Sequence, residues 1–273
     1  MAKFCDVKML SKAGGSVNED AVGAGENYLF VIDGATALTA SSQANSAAWL
    51  ARETAAALHR QLSDVSKTIP EIMRNIVREL CTKWEADPAD GPSAGIAIFR
   101  LNGDKIEYFG LGDCSVSVKF KNGGFETREE ENLARLDRIA LDKMCALRAQ
   151  TGCSAKEARS AINETLIEHR ELKNTPRGYW CLDLTGEGIA HARLAFFAAE
   201  EVKSLFLCSD GFAQLCGFQA VESLPALHDL SEREGLETLF QKLYELQEQD
   251  VELLVLPRFK LRDDTSAVLA NVK

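Results

Sequence analysis

The sequence predicts an α+β protein in which amphipathic helices lie over antiparallel sheet, and three observations carry that prediction. Short strand-like runs follow one another through residues 94–121 with hairpin turn residues between them. Two helical patterns come before these runs, and a charged helical stretch comes after them. Consecutive strands without a helix between them exclude a doubly wound parallel sheet. No Pro/Gly/Ser linker or internal repeat divides the 273 residues, so a single domain, 1–273, is expected.

Residues 4–10 read as a first strand and 11–26 as a Gly-rich loop holding Asn18-Glu19-Asp20. Tyr28 to Ile32 is a continuous aromatic and β-branched run, the pattern of a buried strand, and it ends in Asp33-Gly34. Its hairpin partner is expected to be the first strand or a neighbour. From Ser42 onward, Ala44, Ala47, Ala48, Ala51, Ala55 and Leu58 recur at helical spacing, with Ser41 or Ser42 placed to cap. A second helix is expected from about Pro70 to Ala86, with Ile72, Ile76, Leu80 and Trp84 on one face.

Strand-like runs then span 94–100, 105–112 and 115–121, separated by Asn102-Gly103-Asp104 and Gly112-Asp113-Cys114. They read as one antiparallel meander. Helical patterns fill the helical insertion at about 126–174, through Leu133, Leu136, Ile139, Ala140 and Met144 and then Ala158, Ala161, Ile162 and Leu166. Strands return at 178–184, 191–198 and 204–209, a helix spans 231–249, and a last strand covers 266–270.

Composition narrows the function. Net charge is 31 minus 41, or −10, which argues against nucleic acid or an anionic membrane as the main partner. The N-terminus alternates and carries charge, unlike a signal peptide, and no run reaches the length of a membrane span, so a soluble cytoplasmic protein is expected. Eight cysteines lack any CxxC pairing and read as reduced structural thiols. His59, His169, His191 and His228 fall on separate segments without ligand spacing.

The acids at strand ends carry more information. Asp33 follows a strand, Asp113 lies in a turn, Asp210 follows Leu205 to Ser209, and Asp263-Asp264 precedes the last strand. If the sheets stack, these ends meet at one rim, where carboxylates repel unless a cation neutralises them. Oxygen ligands without His or Cys favour Mg²⁺ or Mn²⁺ over zinc.

Six segments in order resemble the metal-dependent protein phosphatases of the PPM (PP2C) type. They are Asn18-Glu19-Asp20, Val31-Ile32-Asp33-Gly34, Pro92-Ser93-Ala94-Gly95, Gly112-Asp113-Cys114, Leu207 to Phe212, and Arg262-Asp263-Asp264-Thr265-Ser266. The resemblance spans about residues 4–272. It implies a four-layer α-β-β-α sandwich, two antiparallel sheets flanked by helices, with a two-metal centre at one end. Asp33 would bridge two Mn²⁺ or Mg²⁺ ions, the Gly34 carbonyl would bind one, and Asp210 and Asp263 would hold the other. Glu19 and Asp20 would orient metal-bound waters, and Asp113 matches a position that joins a third ion. The implied reaction is hydrolysis of phosphoserine or phosphothreonine in a protein, opposing a cytoplasmic kinase, by water activated between two cations. Residues 126–174 occupy the region in which this family varies its flap.

Some positions depart from the family pattern. No Arg precedes Glu19-Asp20; Lys12 is the nearby cation, and Arg177 is a second candidate for gripping phosphate. Ala35 stands where animal members often have His after Asp-Gly, Cys114-Ser115 follows Asp113, and Gln214 replaces an acid four residues after Asp210. These changes favour an alternative, a catalytically weak regulatory or binding module on the same fold. A haloacid dehalogenase reading of Asp33-Gly34-Ala35-Thr36 fails, because Ile32 and the meander do not suit that family.

Overall fold

The computed structural model describes residues 2–35 and 46–273, so the expected cap at Ser41 or Ser42 and the helical position Ala44 lie outside the described residues. The chain begins with β1 (Phe4–Lys12), β2 (Ala21–Ala24) and β3 (Tyr28–Ala35), followed by α1 (Ser46–Gln61) and α2 (Ile69–Cys81). Next come β4 (Ser93–Asn102), β5 (Lys105–Leu111), β6 (Ser115–Phe120) and β7 (Phe125–Arg128), then α3 (Glu131–Thr151), α4 (Ala155–Ala161) and α5 (Asn163–Glu171). The last part contains β8 (Leu182–Asp183), β9 (Arg193–Ala198), β10 (Val202–Cys208), α6 (Asp210–Gly217), α7 (Leu224–Glu234), α8 (Leu236–Gln249) and β11 (Thr265–Val272).

Two antiparallel sheets result. One runs β1-β11-β10-β6-β7; the other runs β2-β3-β4-β5-β9, with β8 also paired to β4. The central strands β3, β4 and β10 are apolar on both faces because both faces are covered. In β3, Leu29 and Val31 enter the core between the sheets, while Tyr28, Phe30 and Ile32 face the core under α1 and α2. In β10, Leu205 and Leu207 face the other sheet, while Phe206 and Cys208 pack under α6, α7 and α8. Each such side chain removed from water contributes roughly 1.5–3 kcal/mol. The four layers are therefore helix, sheet, sheet, helix, as the resemblance implies. A separate small core, Ala140, Met144, Ala158, Ile162 and Leu166, joins α3, α4 and α5.

The structure corrects several expected elements. The 11–26 stretch contains β2, and β3 pairs with β2 and β4, whereas β1 belongs to the opposite sheet. The expected meander is split: β4 and β5 share one sheet, while β6 crosses to the other and pairs with β10. The crossing occurs at Gly112-Asp113-Cys114, where Gly112 has φ of 65°, and it carries Asp113 to the end shared by both sheets. Residues 178–184 form only the two-residue β8, and the single helix expected at 231–249 is two, broken at Gly235 with φ of 87°. The second helix starts at Ile69, because Thr68 and Glu71 form a capping box, and it ends at Cys81, short of Ala86. Among the described residues no helix is long and apolar enough to cross a membrane.

Candidate metal centre

Asp33 lies near the end of β3, opposite Gly95 in β4. A Cβ at Gly95 would stand 2.5 Å from Asp113 Oδ1, so the missing side chain lets the Asp113 carboxylate approach the strand that pairs with Asp33. Asp210 opens α6, and its backbone N–H points to Asp33 Oδ2 at 3.4 Å. Carboxylate oxygens of Asp33, Asp113 and Asp210 all lie within 4.8 Å of one another. Asp210 is exposed at the rim and the other two are half-buried.

The crowding has an electrostatic signature. Asp33 is pushed well above the usual carboxylate range, first by burial and then by the charges of Asp20, Asp210, Asp113 and Asp263. Asp210 moves the same way, by desolvation of its carboxylate within the cluster, although the residue meets solvent at the rim, and by the charges of Asp263, Asp113 and Asp20. Burial also raises Asp113, against the pull of Arg170 and Arg193. Asp20 is pushed up to about 7, chiefly by burial. Both Asp20 carboxylate oxygens are buried and accept no hydrogen bond. An orphaned carboxylate beside three converging ones is the donor set that a hard divalent cation satisfies.

Two further acids arrive through the last strand. Asp263 Oδ1 accepts the Asp264 N–H at 2.9 Å and is ion-paired to Lys260 at 2.5 Å. Asp263 lies close enough to raise Asp33 and Asp210, although it is outside the triad of closest oxygens. Asp264 accepts N–H groups from Gly14 and Glu19, each at 2.7 Å, and so ties the 14–19 loop to the site. Asp20 follows in that loop, its N–H donating to Asn18 Oδ1 at 3.0 Å.

Lys12 turns to α8, where its ammonium is 3.2 Å from Glu237 and lies over the Phe240 ring. Arg177 is exposed in the loop between α5 and β8. Gln214 accepts from Gln247 Nε2 at 3.0 Å.

Three groups at the site carry no motif in the sequence. Arg193 donates to the Gly112 carbonyl at 2.7 Å and pairs with Glu130 at 2.6 Å, while the Gly112 N–H donates to the Trp180 carbonyl at 2.7 Å. Together these contacts clamp the turn that presents Asp113. Asp137 of α3 is raised to about 7, first by burial and then by the charge of Asp113. Lys260 is the third.

The fold is an α-β-β-α sandwich with a carboxylate cluster at the end shared by its two sheets. The family model described as Protein phosphatase 2C matches residues 11–256, and the chain belongs to that family. Solved structures with the same fold include the Mycobacterium tuberculosis serine/threonine phosphatase PstP/Ppp, at 18% identity, with 98% of each chain covered and a TM-score of 0.53. The catalytic domain of PstP in complex with two manganese ions matches at 17% identity, covering 100% of this chain and 99% of that one, with a TM-score of 0.52. The serine/threonine phosphatase Stp1 from Staphylococcus aureus matches at 13% identity, covering 98% and 95%, with a TM-score of 0.54. No curated protein sequence matches the chain.

Proposed function

We propose that this protein is a Mn²⁺- or Mg²⁺-dependent phosphatase that hydrolyses phosphoserine or phosphothreonine in protein substrates, acts as one domain over residues 1–273, and opposes a cytoplasmic kinase. The observation that carries the reading is the convergence of Asp33, Asp113 and Asp210 oxygens within 4.8 Å. Asp33, the Gly34 carbonyl, Asp210 and Asp263 would hold two cations, with Asp113 available to a third. When bound, the cations supply an acidified water as nucleophile and positive charge for the phosphoryl oxygens.

The chain's own groups do the positioning. Asp264 holds the 14–19 loop through two backbone N–H groups, and Glu19 and the buried Asp20 of that segment would orient water. The Arg193 clamp holds the Asp113 turn. The α3–α5 region is suited to contact a peptide substrate, and Arg170 of α5 reaches Ser93 at the start of β4, its guanidinium 3.3 Å from the hydroxyl.

One observation favours the second reading, a catalytically weak regulatory module: Lys12, the cation nearest in sequence to Glu19-Asp20, is engaged with Glu237. A single assay separates the two. The phosphatase reading expects hydrolysis of p-nitrophenyl phosphate and of a phosphothreonine peptide with Mn²⁺, and loss of both with chelator or with Asp210→Asn. Activity that survives chelator and substitution would overturn the metal-dependent reading. Manganese binding without turnover on either substrate would establish the regulatory module.

A further inference from the structure

Lys260 is ion-paired to Asp263 Oδ1 at 2.5 Å, and among the described residues it is the cation paired to one of the acids Asp33, Asp113, Asp210 and Asp263. The other cations nearby are engaged. Lys12 pairs with Glu237, and Arg193 is held between the Gly112 carbonyl and Glu130. Arg262 pairs with Glu248 and lies over the Tyr244 ring at 3.9 Å, and Arg170 donates to Ser93 Oγ at 3.3 Å.

The loop that carries Lys260 is built to hold it in place. Asp250 accepts N–H groups from Leu254, Val255 and Leu256 and pairs with the buried Arg258 at 2.5 Å, and Arg258 in turn donates to the Leu261 carbonyl at 3.0 Å. The backbone on both sides of Lys260 is therefore anchored, while the side chain remains 57% exposed at the rim where Asp210 also meets solvent.

We propose that Lys260 supplies the positive charge that holds the phosphoryl group of the substrate, the role for which Lys12 and Arg177 are the candidates in sequence. The inference rests on the metal-dependent phosphatase reading above. With Asp263 holding a divalent cation, the Lys260 ammonium would lose that partner, while the anchored loop would keep it at the rim. The anion that arrives next is the phosphoryl group. A lysine binds phosphate as a mobile point charge, without the bidentate fork of arginine, which suits a contact that changes partner when the site loads.

The test uses the full chain. Inorganic phosphate is titrated by calorimetry into the Mn²⁺-loaded wild type, Lys260→Met and Lys260→Arg, and Mn²⁺ is titrated into the metal-free forms. Lys260→Met is expected to bind phosphate about tenfold or more weakly, to raise KM for p-nitrophenyl phosphate more than it lowers kcat, and to bind Mn²⁺ no more weakly than wild type. Lys260→Arg should recover most of the phosphate affinity. Phosphate affinity in Lys260→Met within about twofold of wild type overturns the proposal, as does a loss matched by an equal loss of Mn²⁺ affinity. A wild type that takes up Mn²⁺ but no phosphate overturns the role of Lys260 alone, whereas one that takes up no Mn²⁺ overturns the metal reading with it.

Discussion

The two carboxylate oxygens of Asp264 are divided between two backbone donors, Gly14 N–H and Glu19 N–H, each at 2.7 Å. A side chain at the start of the last strand thus closes a loop some 250 residues away in sequence, and this loop contributes the Glu19-Asp20 pair. Charge-assisted bonds to a buried carboxylate are each worth about 1.5–3 kcal/mol. Asp264→Ala should lower stability by about 2–4 kcal/mol and weaken Mn²⁺ binding, because the loop is released. Asp264→Asn keeps one acceptor and should fall between the two. Denaturant melts and Mn²⁺ titration of the three proteins check the order.

Asp33, Asp113 and Asp210 repel one another in the absence of a cation, and burial adds to the cost of charging the half-buried Asp33 and Asp113. Removing one negative charge should relieve the metal-free protein even as it removes a ligand. Asp210→Asn is therefore expected to be more stable than wild type in chelator and to lose the stabilisation that Mn²⁺ gives wild type. Calorimetric scans with and without Mn²⁺ read both effects. A metal-free Asp210→Asn that melts below wild type would contradict the repulsion argument.

Gly95 tests the site through packing. A Cβ there meets the Asp113 carboxylate at 2.5 Å, and Asp113 N and Cys114 N at 3.2 and 3.3 Å. The carboxylate is the group freest to move, so Gly95→Ala should displace Asp113 while costing about 1–3 kcal/mol of stability. Hydrolysis of the phosphopeptide should fall more than stability does. Activity equal to wild type would show that the position of Asp113 does not matter to turnover.

Much of this architecture was legible in residue order, and the exceptions share a cause. The Tyr28 to Ile32 run ending in Asp33-Gly34 signals a buried strand with an acid at its tip, and Leu205 to Asp210 repeats the signal, because local burial on both faces leaves a local pattern. The crossing of β6 to the opposite sheet left no such pattern, since Asn102-Gly103-Asp104 and Gly112-Asp113-Cys114 both carry turn residues and only tertiary pairing tells a hairpin from a crossover. β2 was hidden for the same reason: Ala21 to Ala24 is weak in β propensity and is held by register with β3. At the site, Asp33, Asp113 and Asp210 announce themselves at strand ends, whereas Lys260 and Arg193 do not. A surface-like lysine and an arginine at the start of an edge strand acquire a role only from what the fold sets beside them.

His228 gives a pH dependence that is separate from the metal cluster. It is fully buried between Ser204 Oγ at 3.0 Å from Nε2 and Ser117 Oγ at 3.1 Å from Nδ1, with Phe206 and Phe125 packed on the ring. The charges around it are Glu232 with Oε1 at 3.9 Å, Asp229, Lys119 and Lys203. Burial outweighs the attraction of the acids and pushes His228 down from 6.5 to about 4. The unfolded chain therefore takes up a proton at higher pH than the folded one, so stability is full above pH 6.5 and is lost as pH falls toward 4. The loss attributable to this residue is about 2 kcal/mol between pH 7 and pH 5. The raised carboxylates of the metal site act in the opposite sense, since they gain protons more readily when folded. His228→Gln removes one effect and leaves the other. Its stability should be lower than wild type at pH 7 and should fall less, or even rise, on going to pH 5; parallel pH dependence in the two proteins would rule out His228 as the source.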